Sequence, residues 1–312
     1  MAAPPLLARA TSSSRRRIDR LAEVAIAASA LITVGGIVLI FVFVFKEALP
    51  VLVDQATMAE ANLREFFTLG PWQPVSDRPK YSLFPLLVGS LKATVIAVVT
   101  AVPIAVLAAL FTAEFAPRRV RELLKPVVEL LAGIPSVVLG FFALMVLASI
   151  LQQVTGSPTR LNAVNAGIAL GFSILPVVYS VSEDALRAVP RSYREASLAL
   201  GASSWQTAFT VTLPAAWAGI FAAVMLGVGR AVGETMIVLM ASGNAAITSI
   251  HPYDSIRTMS ATIAAELAEV VQHSPHYATL FFIGSLLFAI TFVLNVVAGL
   301  MVDRMRRHLT GA

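Results

Sequence analysis

The 312 residues include 57% hydrophobic and 13% charged side chains, with a formal net charge of +5. A soluble globular chain carries roughly 25% charged residues, so this composition excludes an ordinary soluble core and indicates a chain surrounded mostly by lipid. The chain has no cysteine, which excludes disulfide frameworks and thiol nucleophiles. Its four histidines have no metal-binding spacing, so we expect no metal site.

Six stretches of the sequence are long and apolar enough to cross a bilayer. A hydrocarbon core about 30 Å thick requires about 20 apolar residues in a helix. The predicted spans are 24–45, 83–111, 127–150, 164–181, 215–242 and 277–302. The first follows a run of arginines, as a cleaved signal peptide would. Its apolar core is about twice the usual length and no small-residue cleavage site follows, so we predict a retained span. The fold class is therefore an all-α membrane protein.

The basic residues predict which way the spans face. Fifteen of the 23 lysines and arginines lie in the tail 1–23, in two loops and in the tail 303–312, against six in the other loops. Cytoplasmic loops carry the excess of Lys and Arg, so both termini are predicted to be cytoplasmic. The positive charge is then a signal of topology, and no nucleic-acid partner is expected. The external segments 46–82 and 243–276 can be plain connections or a docking surface, and both interpretations stay open.

The loop between the fourth and fifth spans, 192–214, has the pattern of a short exposed helix. Tyr193, Ala196 and Leu200 fall on one helical face. Gly201 can end the helix because glycine accepts the left-handed C-cap conformation. Pro214 stands at the start of the next span, where its missing N–H costs nothing. Such a partly apolar helix suits insertion into a groove on a partner. The alternative is a solvated loop with no partner.

This loop resembles the E-A-A loop of bacterial ABC-importer permeases. The residues that match the pattern are Glu195, Ala196, Ser197, Gly201, Val211, Leu213 and Pro214, with Ser197 and Val211 as mild departures. The resemblance implies a type-I importer (MetI-like) permease fold, in which the loop docks into a cleft on a separate ATPase. The chain has no G-x-x-x-x-G-K-[ST] phosphate-cradling loop. We therefore expect a transport subunit rather than an enzyme, with ATP and magnesium bound by partner chains.

Apart from Glu129 near the start of the third span, three charged residues lie inside the predicted spans, where charge is costly and often functional. Glu234 follows Arg230 by four residues, which would place both on one face of the fifth helix. Lys92 lies in the outer third of the second span. Two cations at similar depth suit an anion, and the planar guanidinium matches a tetrahedral oxyanion. Alternatively, Arg230 and Glu234 neutralise each other while Lys92 reaches the outer interface.

The segment from Arg230 to Met236, followed by Gly243 and Asn244, is similar to a signature of phosphate-importer permeases of the PstC type. The stretch 131–141 is similar to their third span. The resemblance implies that Arg230 and Glu234 are tied to phosphate passage. It also implies three kinds of partner: a PstA-type permease, two PstB-type ATPases and a PstS-type external phosphate-binding protein. Alternatives are an importer of sulfate, molybdate or phosphonate, a phosphate-sensing subunit and a passive channel.

Overall fold

The computed structural model describes the backbone of residues 13–310 and the side chains of residues 19–305. Within this part, the chain is helical apart from one small hairpin and the connecting segments. Residues 1–12 and 311–312 of the two predicted tails lie outside the described part. Residues 13–23, by contrast, form the beginning of the first helix.

The first half of the chain contains one long helix, a compact connecting segment that was predicted to be external, and the second and third apolar segments. In order, its elements are α1 Ser13–Ala48, α2 Pro50–Val53, α3 Gln55–Glu60, α4 Leu63–Phe66, β1 Trp72–Gln73, β2 Lys80–Tyr81, α5 Phe84–Leu110 with a π-helical turn Phe111–Phe115, α6 Arg118–Ala132, α7 Ser136–Phe142 with a π-helical turn Ala143–Leu147, and α8 Ala148–Thr155. The two strands pair antiparallel, with Trp72 opposite Tyr81.

The second half contains the fourth, fifth and sixth apolar segments. Its elements are α9 Ala163–Arg187, α10 Arg191–Ala199, α11 Ser204–Thr207 with a π-helical turn Ala208–Thr212, α12 Leu213–Ala215, α13 Trp217–Gly233, α14 Met236–Ala241, α15 Met259–Glu266 and α16 Pro275–Thr310. Five helical segments of the described chain are long and apolar enough to cross a membrane. A sixth is obtained when Ser204–Ala215 and Trp217–Gly233, which meet at 68°, are counted as one span. The prediction of six spans is confirmed in this form.

The predicted third span, 127–150, is divided by the structure. Its first residues belong to α6, an amphipathic helix that has no buried residue. The spanning segment begins only at Ser136. The interruption lies at Gly133, Ile134 and Pro135, because proline has no N–H and its ring excludes the preceding residue from helical geometry. Glu129, the one charged residue in the predicted third span, therefore lies in α6 and outside the spanning segment.

The predicted fifth span, 215–242, is also not one helix. The chain bends between α12 and α13 beside Pro214, and it is extended again at Glu234, with φ −68° and ψ 133°. α14 then continues for six residues. Hydropathy alone does not reveal these interruptions, since every piece on either side of them is apolar.

The centre of the bundle is a close contact between α5 and α9. Five alanines at four-residue spacing, Ala93, Ala97, Ala101, Ala105 and Ala109, are all buried along one face of α5. Small residues at this spacing allow two helix backbones to approach closely. The facing side of α9 carries Gly167, where an added Cβ would lie 2.5 Å from Ile96. The seam thus depends on small side chains on both helices.

Candidate functional site

Arg230 lies in the last turn of α13, and its side chain is exposed in the single chain. Among the described side chains, none forms a hydrogen bond or a salt bridge with it at the distances that define these contacts. A guanidinium in an apolar span requires compensation by a counter-charge, by water or by a passing solute. Arg230 therefore faces away from the helices of its own chain, toward a surface that something else must complete.

Within the described chain Glu234 forms no salt bridge with Arg230, although it follows that residue by four positions. The helix ends at Gly233, and Glu234 adopts an extended conformation. Its carbonyl oxygen accepts a hydrogen bond of 2.8 Å from the hydroxyl of Ser260, and its carboxylate accepts one of 3.2 Å from the Thr235 N–H. Glycine favours a helix end because it is a weak helix former. The carboxylate is half-buried at the interruption, close in sequence to Arg230 but not ion-paired with it.

Lys92 is engaged with the external segment of the chain. Its Nζ donates a hydrogen bond of 2.8 Å to the carbonyl oxygen of His251. The neighbouring Ser90 hydroxyl accepts from the Met259 N–H at 3.0 Å. At Gly89, an added Cβ would collide with the carbonyl oxygen of Arg257. This face of α5 therefore holds the segment 251–259.

Helix α10 carries most of the predicted coupling loop, and none of its residues is buried. Tyr193 and Leu198 are about half exposed, and Leu200 is 90% exposed. Glu195 and Ala196 are exposed as well. An exposed cluster of large apolar side chains on a short helix is typical of a protein-interaction surface. This arrangement agrees with the expected docking helix.

The two ends of the loop are built as the sequence indicates. Gly201 has φ +88°, and the N–H groups of Gly201 and Ala202 donate to the carbonyls of Leu198 and Ser197. These two bonds form a Schellman motif, the C-cap for which glycine is preferred. The Ser197 hydroxyl also lies 2.9 Å from that of Thr207, which ties α10 to α11. At the far end, Leu213 and Pro214 lie in α12, immediately before the 68° bend.

Sequence analysis missed the residues that attach α10 to the bundle. Arg194 lies 2.7 Å from the carboxylate of Glu114, and it also donates to the carbonyl oxygen of Leu186 at 2.8 Å. Glu114 belongs to the π-helical turn at the end of α5. The only signal in the sequence was a single acidic residue between two phenylalanines at the end of an apolar stretch.

A second missed residue is Glu183, whose side chain is fully buried near the end of α9. It forms ion pairs with Arg187 and with Lys125, whose Nζ lies 3.6 Å from Glu183 Oε2. Burial works to lower the pKa of Lys125, but Asp184 and Glu183 outweigh burial and raise that pKa. The cluster joins α6 to α9 at the end of the bundle that carries α10.

At the opposite end, the two long connecting segments fold together around Glu266. Its carboxylate accepts from Trp72 Nε1 at 3.1 Å, and it lies 2.7 Å from Arg257 and 2.9 Å from His276. Burial works to raise the pKa of Glu266, but the hydrogen bonds from His276 and Trp72 and the charge of Arg257 outweigh burial and lower that pKa. Burial and the neighbouring Glu60 carboxylate raise the pKa of Tyr81. An open groove of about 890 Å³ lies over this cluster.

A helical bundle of membrane-crossing length, an unpaired arginine in one span within the described chain and an exposed apolar helix at one end together define a membrane transport subunit. The sequence matches a family model, "Binding-protein-dependent transport system inner membrane component", over residues 101–307. The chain belongs to this family. It is a permease subunit of an ABC importer in the inner membrane, and ATP hydrolysis belongs to separate ATPase subunits.

Curated relatives cover nearly the whole chain. A probable ABC transporter permease protein of Bacillus subtilis, YqgH, is 34% identical over 91% of each chain. "Phosphate transport system permease protein PstC 1" of Mycobacterium tuberculosis is 35% identical over 93% of this chain and 97% of its own. A bacterial alginate ABC transporter chain has a similar fold, with a TM-score of 0.61 and 16% identity over 93% of this chain and 99% of that one. A chain of the MetNI methionine transporter gives a TM-score of 0.56, with 16% identity over 72% and 97%. These structures support the expected MetI-like fold.

Proposed function

We propose that this permease carries inorganic phosphate, and that Arg230 lies on the path that the anion follows. The observation that carries the proposal is the exposure of Arg230 in a span without a counter-charge from the described part of its own chain. The PstC relatives support phosphate as the cargo. In the assembled importer, a second permease of the PstA type completes the surface that Arg230 faces.

The chemistry of the site suits an oxyanion that still carries a proton. The guanidinium of Arg230 can donate two parallel hydrogen bonds to phosphate oxygens. The Glu234 carboxylate stands four residues further along, beyond the end of the helix. A carboxylate can accept a hydrogen bond from the P–OH group of phosphate, whereas it repels fully ionised sulfate. Glu234 then serves selectivity for phosphate rather than charge neutralisation of Arg230.

The remaining subunits follow from this assignment. Two PstB-type ATPases bind ATP and magnesium and receive α10 in a cleft. This places α10 and both termini in the cytoplasm, as the basic loops indicate. A PstS-type phosphate-binding protein delivers the anion from the opposite side, where the groove above Glu266 opens. Alternating access then moves phosphate past Arg230 while this chain performs no covalent chemistry.

The test is ATP-dependent uptake of radiolabelled phosphate by the complete complex reconstituted in vesicles, with the Arg230→Leu variant as comparison. Charge-assisted hydrogen bonds contribute about 1.5–3 kcal/mol each, so uptake should fall by about tenfold or more. Arg64→Leu, at an exposed position in the external segment, is the matched control and should transport normally. Normal uptake by an assembled Arg230→Leu complex would refute the path assignment.

Competition identifies the cargo. Unlabelled phosphate should displace the label, and sulfate, molybdate or phosphonate should not. In the Glu234→Gln variant, sulfate should inhibit the uptake of labelled phosphate more strongly than it does in the unmodified complex, because the amide no longer repels the sulfate dianion. Stronger competition by sulfate in the unmodified complex would instead assign the permease to another oxyanion. An intact complex that hydrolyses ATP but moves no phosphate would favour the phosphate-sensing alternative.

A further inference from the structure

The π-helical turn Phe111–Phe115 holds three different elements at the end of the bundle that carries α10. The first is α10 itself. Two guanidinium nitrogens of Arg194, Nε and Nη2, lie 2.9 and 2.7 Å from one oxygen of Glu114. The two side chains are only 20% and 12% exposed, so solvent and salt screen this ion pair less than a surface pair.

The second element is α6, which is attached through the backbone of the same turn. Arg121 donates from Nε to the carbonyl oxygen of Thr112 at 3.1 Å and from Nη2 to that of Ala113 at 3.2 Å. A π-helical turn bonds i to i+5 rather than i to i+4, which displaces carbonyls from the regular helical pattern. The planar fork of arginine matches two such neighbouring acceptors.

The third element is α9, which forms the buried wall of the turn. The Tyr179 hydroxyl lies 3.0 Å from that of Thr112, and both residues are buried. Trp205, which follows the coupling helix, also packs on Phe115 with ring centroids 5.7 Å apart. The five residues of this turn thus contact α10, α6 and α9.

We propose that this turn is the mechanical junction through which ATPase closure reaches the third span. Arg194 transmits displacement of α10 to Glu114, and Arg121 transmits it from the turn to α6. Helix α6 leads through the Gly133–Pro135 interruption directly into the spanning segment that begins at Ser136. Arg194, Glu114 and Arg121 are positioning residues. The inference rests on the permease function and does not depend on phosphate as the cargo.

The first experiment measures phosphate transported per ATP hydrolysed in the complete reconstituted complex. Arg194→Gln and Glu114→Gln should each lower this ratio on the order of 5- to 10-fold, at the lower end of the range of typical coupling free energies. The double variant should be no worse than either single variant, because both remove the same link. A merely structural role would lower transport and ATP hydrolysis in proportion and leave the ratio unchanged, which would overturn the proposal.

A matched ion pair provides the control. Arg118 and Glu122 on α6 lie 2.8 Å apart, but the two side chains are 89% and 62% exposed, and in the described chain neither forms a hydrogen bond with the turn. Removing either charge with glutamine should leave the ratio of transport to hydrolysis unchanged. An equal loss in this pair would show that charge on α6, rather than the junction, sets the coupling.

A second experiment does not use phosphate, and it does not depend on the stability of the Arg194→Gln and Glu114→Gln variants. Because the chain has no cysteine, spin labels can be placed by Leu123→Cys on α6 and Val154→Cys on α8, both exposed positions. ATP should change the distance between the labels, and Arg121→Gln should abolish that change while the ATPases still co-purify. Arg121→Lys, which keeps the charge, should restore part of it. A full distance change in Arg121→Gln would refute the junction even if phosphate proved to be the wrong cargo.

Discussion

The indole N–H of Trp72 donates to Glu266 across 194 positions of the sequence. This bond joins the segment that follows the first span to the segment that precedes the last one. Phe66, Leu83 and Met259 form a buried cluster beside it. The two long external segments are therefore one folded unit rather than independent connections. Whether that unit also binds an external partner stays a prediction.

Glu266 should make this external unit sensitive to acid. Its pKa is lowered from an ordinary value of 4.5 in the folded chain, so its contribution to stability is present above that value and is lost as pH falls through the folded pKa. We expect Glu266→Gln to lower stability at pH 7 by about 1–3 kcal/mol, because Arg257 loses its charged partner. The variant should then lose less stability than the unmodified chain between pH 5 and pH 3.

Limited proteolysis of the external segments in the detergent-solubilised protein, followed at several pH values, measures this difference. Glu269→Gln is the control, since Glu269 lines the same groove and is exposed. Identical pH profiles for Glu266→Gln and the unmodified chain would contradict the prediction.

The left-handed backbone of Gly201 predicts the effect of a bulky substitution in the coupling loop. Its φ of +88° is unfavourable for a β-branched residue, so Gly201→Val should cost about 1–2 kcal/mol locally and unwind the end of α10. We expect weaker co-purification of the ATPase and less transport per ATP hydrolysed. Gly156→Val is the matched control, because Gly156 ends α8 with φ +66° and likewise has open space around it. Equal loss of ATPase binding in both variants would show general destabilisation.

The seam between α5 and α9 predicts a strong effect of one added methyl group. In Gly167→Ala the new Cβ would lie 2.5 Å from Ile96, and such overpacking typically costs about 1–3 kcal/mol. The thermal midpoint of the purified protein should fall. Gly299→Ala on α16, which has no atom of the described chain within 4 Å of the added Cβ, should leave the midpoint unchanged or raise it slightly. An unchanged midpoint in Gly167→Ala would mean that the helices can separate without cost.

Lys92 should behave as a tether of the external unit rather than as an essential cation. Lys92→Met removes the hydrogen bond to the His251 carbonyl, which is worth about 1 kcal/mol. We expect faster proteolysis near His251 and phosphate uptake well above that of Arg230→Leu. Uptake as low as in Arg230→Leu would instead place Lys92 on the anion path.

The sequence predicts the number of spans, the exposed helix α10 and its glycine cap because each depends on local patterns, whereas docking of α10 on an ATPase stays a prediction. Gly201 is the clearest example. Its position after Glu195 predicts a glycine cap at the end of the helix, and its φ of +88° has the left-handed conformation that such a cap requires. The exposed position of Arg230 agrees with its predicted role, which still needs the transport measurement.

What the sequence does not predict are interruptions and contacts between distant segments. The fifth span reads as continuous because Glu234 lies in an apolar stretch, yet the helix ends at Gly233 and the chain turns away at Glu234, with ψ 133°. The pair of Arg194 and Glu114 joins positions 80 apart in the chain, and hydropathy carries no information about such a pairing. Whether a charged side chain is buried against an opposite charge depends on contacts between distant segments, and local sequence patterns do not reveal those contacts.

The alanine seam on α5 has a consequence for the transport cycle. Five small, buried side chains let α5 pack closely against α9, and we expect the two helices to move as one rigid body. We expect rotation to concentrate at three interruptions: residues 133–135, the bend after Pro214 and the extended Glu234. Arg230 stands one turn before the last interruption. On the proposed anion path, a rotation there would change which side of the membrane the Arg230 guanidinium faces.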